Sequence, residues 1–281
     1  MALAERVTRR VYRSEQLPDP GFIKTLFSSP KMALLFLPLR VYIGWQWMTA
    51  GIEKINSPAW TRSGTALQGF LAAATKGAPG AKGAAIHYGW YHDFLQYMLN
   101  NQWYTWGGKA IAFGETAVGI ALVIGAFVGV AAFFGAFMNF NYLLAGTAST
   151  NPVLFALAIL LVLGWKVAGY LGADYYLLPA FGTPWKPGHV LDFTREHGER
   201  TVSAAQSLLG AIGFIAAFAV AAVVAVVANN QWSTGDPYIG YAVALLAVMA
   251  AWLVGEAVLT ATHRADEEHT VPMDLKLGPI S

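Results

Sequence analysis

The sequence predicts an all-α fold, a polytopic membrane helix bundle of six spans with both termini cytoplasmic. Three observations predict it. Of 281 residues, 56% are hydrophobic and 12% charged, more apolar surface than a soluble domain of that length needs. Apolar runs long enough to cross a bilayer recur between polar segments. The lysines and arginines are also unevenly shared between the two sides. Eleven (Arg6, Arg9, Arg10, Arg13, Lys24, Lys31, Lys186, Arg195, Arg200, Arg264 and Lys276) fall on the side of the termini, and four (Lys54, Arg62, Lys76 and Lys82) on the other. That bias sets the orientation.

Residues 1–31 form a basic lead-in that Pro18 and Pro20 interrupt, with room for a short amphipathic helix on the headgroups. A small-residue cleavage site is missing from it, so the first apolar run reads as a retained span. That span covers about residues 32–51, roughly 30 Å of helix, and Pro38 should loosen its inner half. Residues 52–106 are a long external segment with two short helical stretches, 64–74 and 91–101, separated by Gly77, Pro79, Gly80 and Gly83. Its many aromatic residues suit an interfacial belt; a lid over an apolar entrance is the alternative.

Spans two and three, 107–126 and 127–146, follow with almost no loop between them. Span four covers 153–171. These complete a four-helix unit, residues 32–180. A charged inner loop begins the next segment, 181–262, which adds a further helix pair at 203–228 and 238–262. The tail, 263–281, mixes both charges and reads as solvated.

Charge inside a span is costly unless paired or facing a wet cavity, so Arg40 needs an explanation. Glu115 lies eight positions into span two, roughly 12 Å deep. Asn139 and Asn141 reach a similar depth on span three, and Glu53 and Lys54 close the outer end of span one. These groups are expected to converge on one outward-facing polar pocket, with Arg40 either pairing with Glu115 or extending inward. Lys166 and Glu256 read as groups at the membrane edge.

Several chemistries are disfavoured. The chain has no cysteine, which removes thiol redox chemistry, thiolate metal sites and cysteine-ligated iron–sulfur clusters. All six histidines fall outside the spans, which disfavours haem held by two helical histidines. His87 and His92 with Asp93 lack helical ligand spacing and a third ligand, so no metal site is expected. With a net charge of +2 and no basic aromatic cluster, nucleic acid is an unsuited partner.

The short motifs Arg40-x-x-x-Gly44, Gly51-x-x-Lys54, Gly114-Glu115 with Gly119 and Gly125, and Gly169-x-x-Gly172-x-Asp174 occur in order on four helices. Together they resemble the DoxX superfamily. The long loop after the first span and the aromatic content are most similar to its DoxD branch, the membrane subunit associated with thiosulfate:quinone oxidoreductase. The added helix pair departs from that four-helix pattern.

The resemblance implies an oxidoreductase subunit of a bacterial or archaeal cytoplasmic membrane, passing electrons from a reduced sulfur compound such as thiosulfate to quinone. Glu115, Arg40 and Lys54 would then be the catalytic residues, Lys54 and Arg40 attracting an anion and Glu115 handling protons. Trp45, Trp47, Asn139 and Asn141 would line the quinone. The competing expectation is a non-catalytic subunit of a larger respiratory or photosynthetic complex, docked through its last two helices. A small-solute transporter fits less well, since no inverted repeat is evident.

Overall fold

The computed structural model describes residues 19–183, 186–187, 204–231 and 237–270. The basic residues Arg6 to Arg13, the charges Asp192 to Arg200, the turn 232–236 and the tail beyond Thr270 lie outside the described residues.

The chain is helical, as its composition predicts. Helix α1 (Gly21–Ser28) is followed by a 3-10 turn (Pro30–Met32) and the long α2 (Ala33–Asn56). The bend between them is 62° and lies at Ser29–Pro30, not at Pro38, which stays inside α2. Leu26 and Phe27 turn inward onto the core, while Phe22 is exposed and Lys24 faces solvent.

The external segment holds α3 (Pro58–Thr61), α4 (Thr65–Ala74) and α5 (Gly89–Asn100), the last two within two residues of the expected stretches. They form a cap with its own core of Leu67, Leu71, Ile86, Tyr91 and Leu95, closed from below by Ala145. Its aromatic residues divide between the two roles expected of them. Tyr88, Trp90, Tyr97 and Trp106 are exposed, as in a belt. Tyr91 and Phe70 turn inward and cover the helices beneath.

Helices α6 (Tyr104–Ile124) and α7 (Val128–Leu144) are joined by three residues. Gly125 and Phe127 make that reversal with φ of 72° and 48°. After α8 (Asn151–Leu163) the fourth expected span stops at Gly164 and resumes only as a short α9 (Trp165–Ala168). At the break the chain passes directly against α2: a Cβ at Gly164 would lie 2.5 Å from the Phe36 ring, so only glycine fits there. Helix α10 (Asp174–Phe181) follows, then a two-residue antiparallel ladder of β1 (Gly182–Thr183) and β2 (Lys186–Pro187).

Helices α11 (Ala204–Gln231) and α12 (Pro237–Thr270) pair with each other and pack on α10 and α2. α12 continues eight residues past the expected end of the sixth span, through Ala265, Asp266 and Glu267. A second core joins this pair to the rest, with Leu37, Val41, Tyr176, Phe214 and Val248 at its centre.

Among the described residues, three helices are long and apolar enough to cross a membrane: α6, residues 205–223 of α11 and residues 240–262 of α12. A fourth is gained if α1 and α2 form one bent span. α7 and α8 are shorter, with 17 and 13 residues.

Candidate functional site

Helices α2 and α6 approach so closely that glycines form the seam between them. A Cβ at Gly44 would lie 2.8 Å from the Val123 backbone nitrogen, and one at Gly51 or Gly119 would overlap Thr116 or Met48. The seam brings Lys54, in the last turn of α2, against Glu115 in the middle of α6. Lys54 Nζ donates to Glu115 Oε2 at 2.6 Å. Glu115 is 1% exposed and accepts a second hydrogen bond at its other oxygen, 2.6 Å from the Tyr142 hydroxyl of α7. The Trp60 ring of the cap lies over Lys54 at 5.3 Å, and Phe70 meets Tyr142 edge-on.

Trp47 stacks on Tyr142, ring centres 6.5 Å apart, and its Nε1 lies 3.1 Å from where a Cβ on Gly135 would sit. Gly135, Asn139 and Tyr142 are spaced by four and three, so they share one face of α7. Asn139 is fully buried on that face, and neither atom of its amide has a partner. Trp47 Nε1 is also buried without a partner. An ion pair with a hydroxyl thus stands beside buried polar groups that are unsatisfied. Buried polar groups are normally hydrogen-bonded, so these unpartnered atoms make the place a candidate for a bound polar group or water.

Two expected members are elsewhere, for a simple geometric reason. Residues two apart on a helix point about 200° apart. Trp45 therefore faces away from Trp47 and packs against Gly240 of α12. Asn141 likewise turns from Asn139 toward the cap, where the Tyr91 hydroxyl donates to its backbone carbonyl at 2.9 Å and to its Oδ1 at 3.2 Å. Burial pushes the Tyr91 hydroxyl up to about 12, so it stays a neutral donor. Glu53 is exposed and lies outside the site.

Arg40 does not reach Glu115. It lies fourteen residues before Lys54 on the same helix, about 21 Å along the axis, and is fully buried. Its Nη2 donates to the Leu171 carbonyl at 3.1 Å, and a Cβ at Gly125 or Gly172 would overlap its guanidinium. The charge that faces it is Asp174. Both Asp174 oxygens are taken: Oδ1 accepts from the Phe127 N–H at 2.6 Å and Oδ2 from the Val128 N–H at 2.8 Å. Asp174 and Ala173 also donate their own N–H groups to Gly125 and Ile124. The expected single pocket is therefore two separate buried clusters, Lys54–Glu115–Tyr142 under the cap and Arg40–Asp174 at the opposite end.

Tyr142 and Asp174 carry these clusters; Asp174 appears in the sequence only as the end of the Gly169-x-x-Gly172-x-Asp174 motif, with no role assigned to it, and Tyr142 does not stand out at all. Tyr142 is one aromatic among many in an apolar helix; its signal is the three-and-four spacing from Asn139 and Gly135. Lys166 is exposed, with Nζ 5.6 Å from the Trp165 ring centre, as a membrane-edge lysine should be. Glu256 is half-buried and faces Tyr175 and Tyr176. His92 is held between Asp93 and the Thr75 carbonyl.

Compared with protein-family models, curated proteins and solved structures, the chain matches none.

Proposed function

We propose that the chain is a six-span membrane protein with cytoplasmic termini. In this reading it is a DoxX/DoxD-like subunit that passes electrons to membrane quinone at the Lys54–Glu115–Tyr142 cluster. The observation that supports the reading best is a buried carboxylate, hydrogen-bonded to a hydroxyl and an ammonium, beside the unpartnered Trp47 Nε1 and Asn139 amide. Two free N–H donors suit the carbonyl oxygens of a quinone, and the Asn139 Oδ1 suits the hydroxyl of a quinol. When bound, the quinone supplies the two-electron acceptor.

The protein's own part is to bind, orient and move protons. Trp47 and Asn139 hold the polar edge, and the stacked Trp47 and Tyr142 rings form one wall. Glu115 takes up or releases a proton through the Tyr142 hydroxyl, with Lys54 setting the local charge. Phe70 and Trp60 of the cap keep bulk water out.

A reduced sulfur donor rests on the motif resemblance alone, because Lys54 is already neutralised by Glu115 and Arg40 is sealed among glycines. Arg40 Nε and Nη1 have no hydrogen-bond partner, but the guanidinium is fully buried and closed in by Gly125 and Gly172, so it offers an anion no access. The second reading, a non-catalytic subunit of a larger membrane complex, is favoured by the same closed ion pair and by the exposed apolar residues Leu209, Ile212 and Leu246 on the last two helices.

Purified protein in nanodiscs separates the two. Catalysis requires thiosulfate-dependent reduction of a short-chain quinone and its loss in Glu115→Gln with the fold intact. No activity from the intact native complex would sink the catalytic reading, and loss of the folded protein in Glu115→Gln would favour the structural one.

A further inference from the structure

At the end of the bundle opposite the cap, an open cleft of about 400 Å³ lies between the start of α7, the α8–α9 break and α10. Its walls are predominantly apolar, built from Phe127, Val130, Phe133, Val162, Trp165 and Leu178. Phe127, Val130 and Phe133 are each more than half exposed, so the cleft opens sideways from the bundle and not into the core.

The cleft is a built feature. Phe127 holds a left-handed backbone conformation, which a non-glycine residue keeps only when its surroundings impose it. Asp174 imposes it by accepting the Phe127 and Val128 N–H groups together. On the facing wall, a Cβ at Gly129 would lie 3.2 Å from the Trp165 side chain, so the small residue keeps that ring in place.

Among the described residues one carboxylate, Asp174, lines the cleft with both oxygens already held by the Phe127 and Val128 N–H groups, and the surroundings of the cleft carry lysine. Lys166 is exposed beside Trp165; Lys24 of α1, which packs on α9, and Lys31 of the following 3-10 turn are exposed as well. Trp with Lys is the combination found where hydrocarbon meets headgroups. An apolar slot open to the side, with a lysine at its mouth, fits a chain with an anionic head.

We propose that this cleft binds one acyl chain of an anionic phospholipid, with the headgroup phosphate on Lys166. The inference rests on membrane placement and not on the quinone chemistry. Resistance of the membrane-bound protein to alkaline carbonate extraction, measured in parallel, reads that placement separately.

The test is native mass spectrometry of the full chain in mild detergent, titrated with dioleoyl phosphatidylglycerol or dioleoyl phosphatidylcholine. One phosphatidylglycerol is expected per chain, held several-fold more tightly than phosphatidylcholine. Lys166→Ala should weaken phosphatidylglycerol about fivefold, as one lysine near an anionic lipid surface does, and weaken phosphatidylcholine less, because its choline offsets the phosphate charge. Val130→Trp, which fills the slot, should remove both lipids without changing the circular dichroism or melting temperature.

Glycerophosphoglycerol, a headgroup without chains, should not compete, and this arm holds even if Val130→Trp fails to fold. Equal retention of the two lipids, competition by the bare headgroup, or full binding by folded Val130→Trp would each overturn the proposal. So would displacement of phosphatidylglycerol by a short-chain quinone at equal concentration.

Discussion

Lys54 Nζ stands 2.6 Å from Glu115 Oε2, but the two side chains are buried unequally, 20% exposed for Lys54 and 1% for Glu115. The pair is therefore not symmetric. Without Glu115, Lys54 can still reach the edge of the cap; without Lys54, Glu115 has no route to water.

Lys54→Met should accordingly cost far more than Glu115→Gln. Breaking a buried pair and stranding one charge costs about 3–5 kcal/mol, which is the expectation for Lys54→Met. Glu115→Gln keeps the shape and the Tyr142 hydrogen bond, and about 1–2 kcal/mol is expected. The double variant should be more stable than Lys54→Met alone. Denaturation of the four proteins in mild detergent, read as a double-mutant cycle, checks the order; equal losses for the two single variants would contradict it.

The glycines make a second contrast. Gly114 has open space where a Cβ would go, whereas Gly119, on the same helix, has the Met48 backbone there. Gly114→Ala should be neutral or stabilising by up to about 1 kcal/mol, and Gly119→Ala should separate α2 from α6 and lose several degrees of melting temperature. Melting curves of the two variants side by side are sufficient.

At the opposite cluster, Asp174→Asn should destabilise by about 1–2 kcal/mol, since one of its two backbone acceptors becomes a donor facing an N–H. Arg40→Lys should not substitute for arginine. A lysine has a single point of charge where the planar fork now fits between Gly125 and Gly172. Hydrogen exchange of the Phe127 and Val128 amides reports the Asp174 effect directly, with faster exchange expected in Asp174→Asn.

Tyr91 ties the cap to α7 through Asn141, and Tyr91→Phe should loosen that tie by about 1 kcal/mol. Because the folded protein holds the hydroxyl neutral up to about 12, above the ordinary value of 10, its contribution is complete below pH 10. It is lost as pH rises toward 12. Cap stability of the parent should fall over that window relative to Tyr91→Phe, as followed by protease sensitivity of the external segment. An identical alkaline profile for the two proteins would rule the assignment out.

Much of this architecture was legible from residue order. The apolar runs located α2, α6, α7, α11 and α12, and counting residues from helix ends placed Glu115 level with Asn139 and Asn141, below the Lys54 end of α2. Depth alone was not enough, because it ignores azimuth. Trp45 and Trp47, or Asn139 and Asn141, share a depth yet face nearly opposite ways, and only a count at 3.6 residues per turn separates them. Depth left the direction of Arg40 open for a different reason. The carboxylate whose charge it feels, Asp174, lies 134 positions away, and although the Gly169-x-x-Gly172-x-Asp174 motif draws attention to it, local pattern does not say that it approaches Arg40. The break in α8–α9 was equally hidden, since Gly164 matters through the Phe36 ring that crosses it.

The glycine seam between α2 and α6 has a mechanical side. With no side chain as a spacer at Gly44, Gly51 and Gly119, the two backbones key into each other like teeth, and α2 becomes a stiff rod gripped along its length. Arg40 is fixed at one end of that rod and Lys54 at the other. A slide of one residue, about 1.5 Å, would pull Lys54 off Glu115 and drive the Arg40 guanidinium into the Gly125–Gly172 turn at the same moment. The two buried clusters do not touch, yet one rigid member holds both in register.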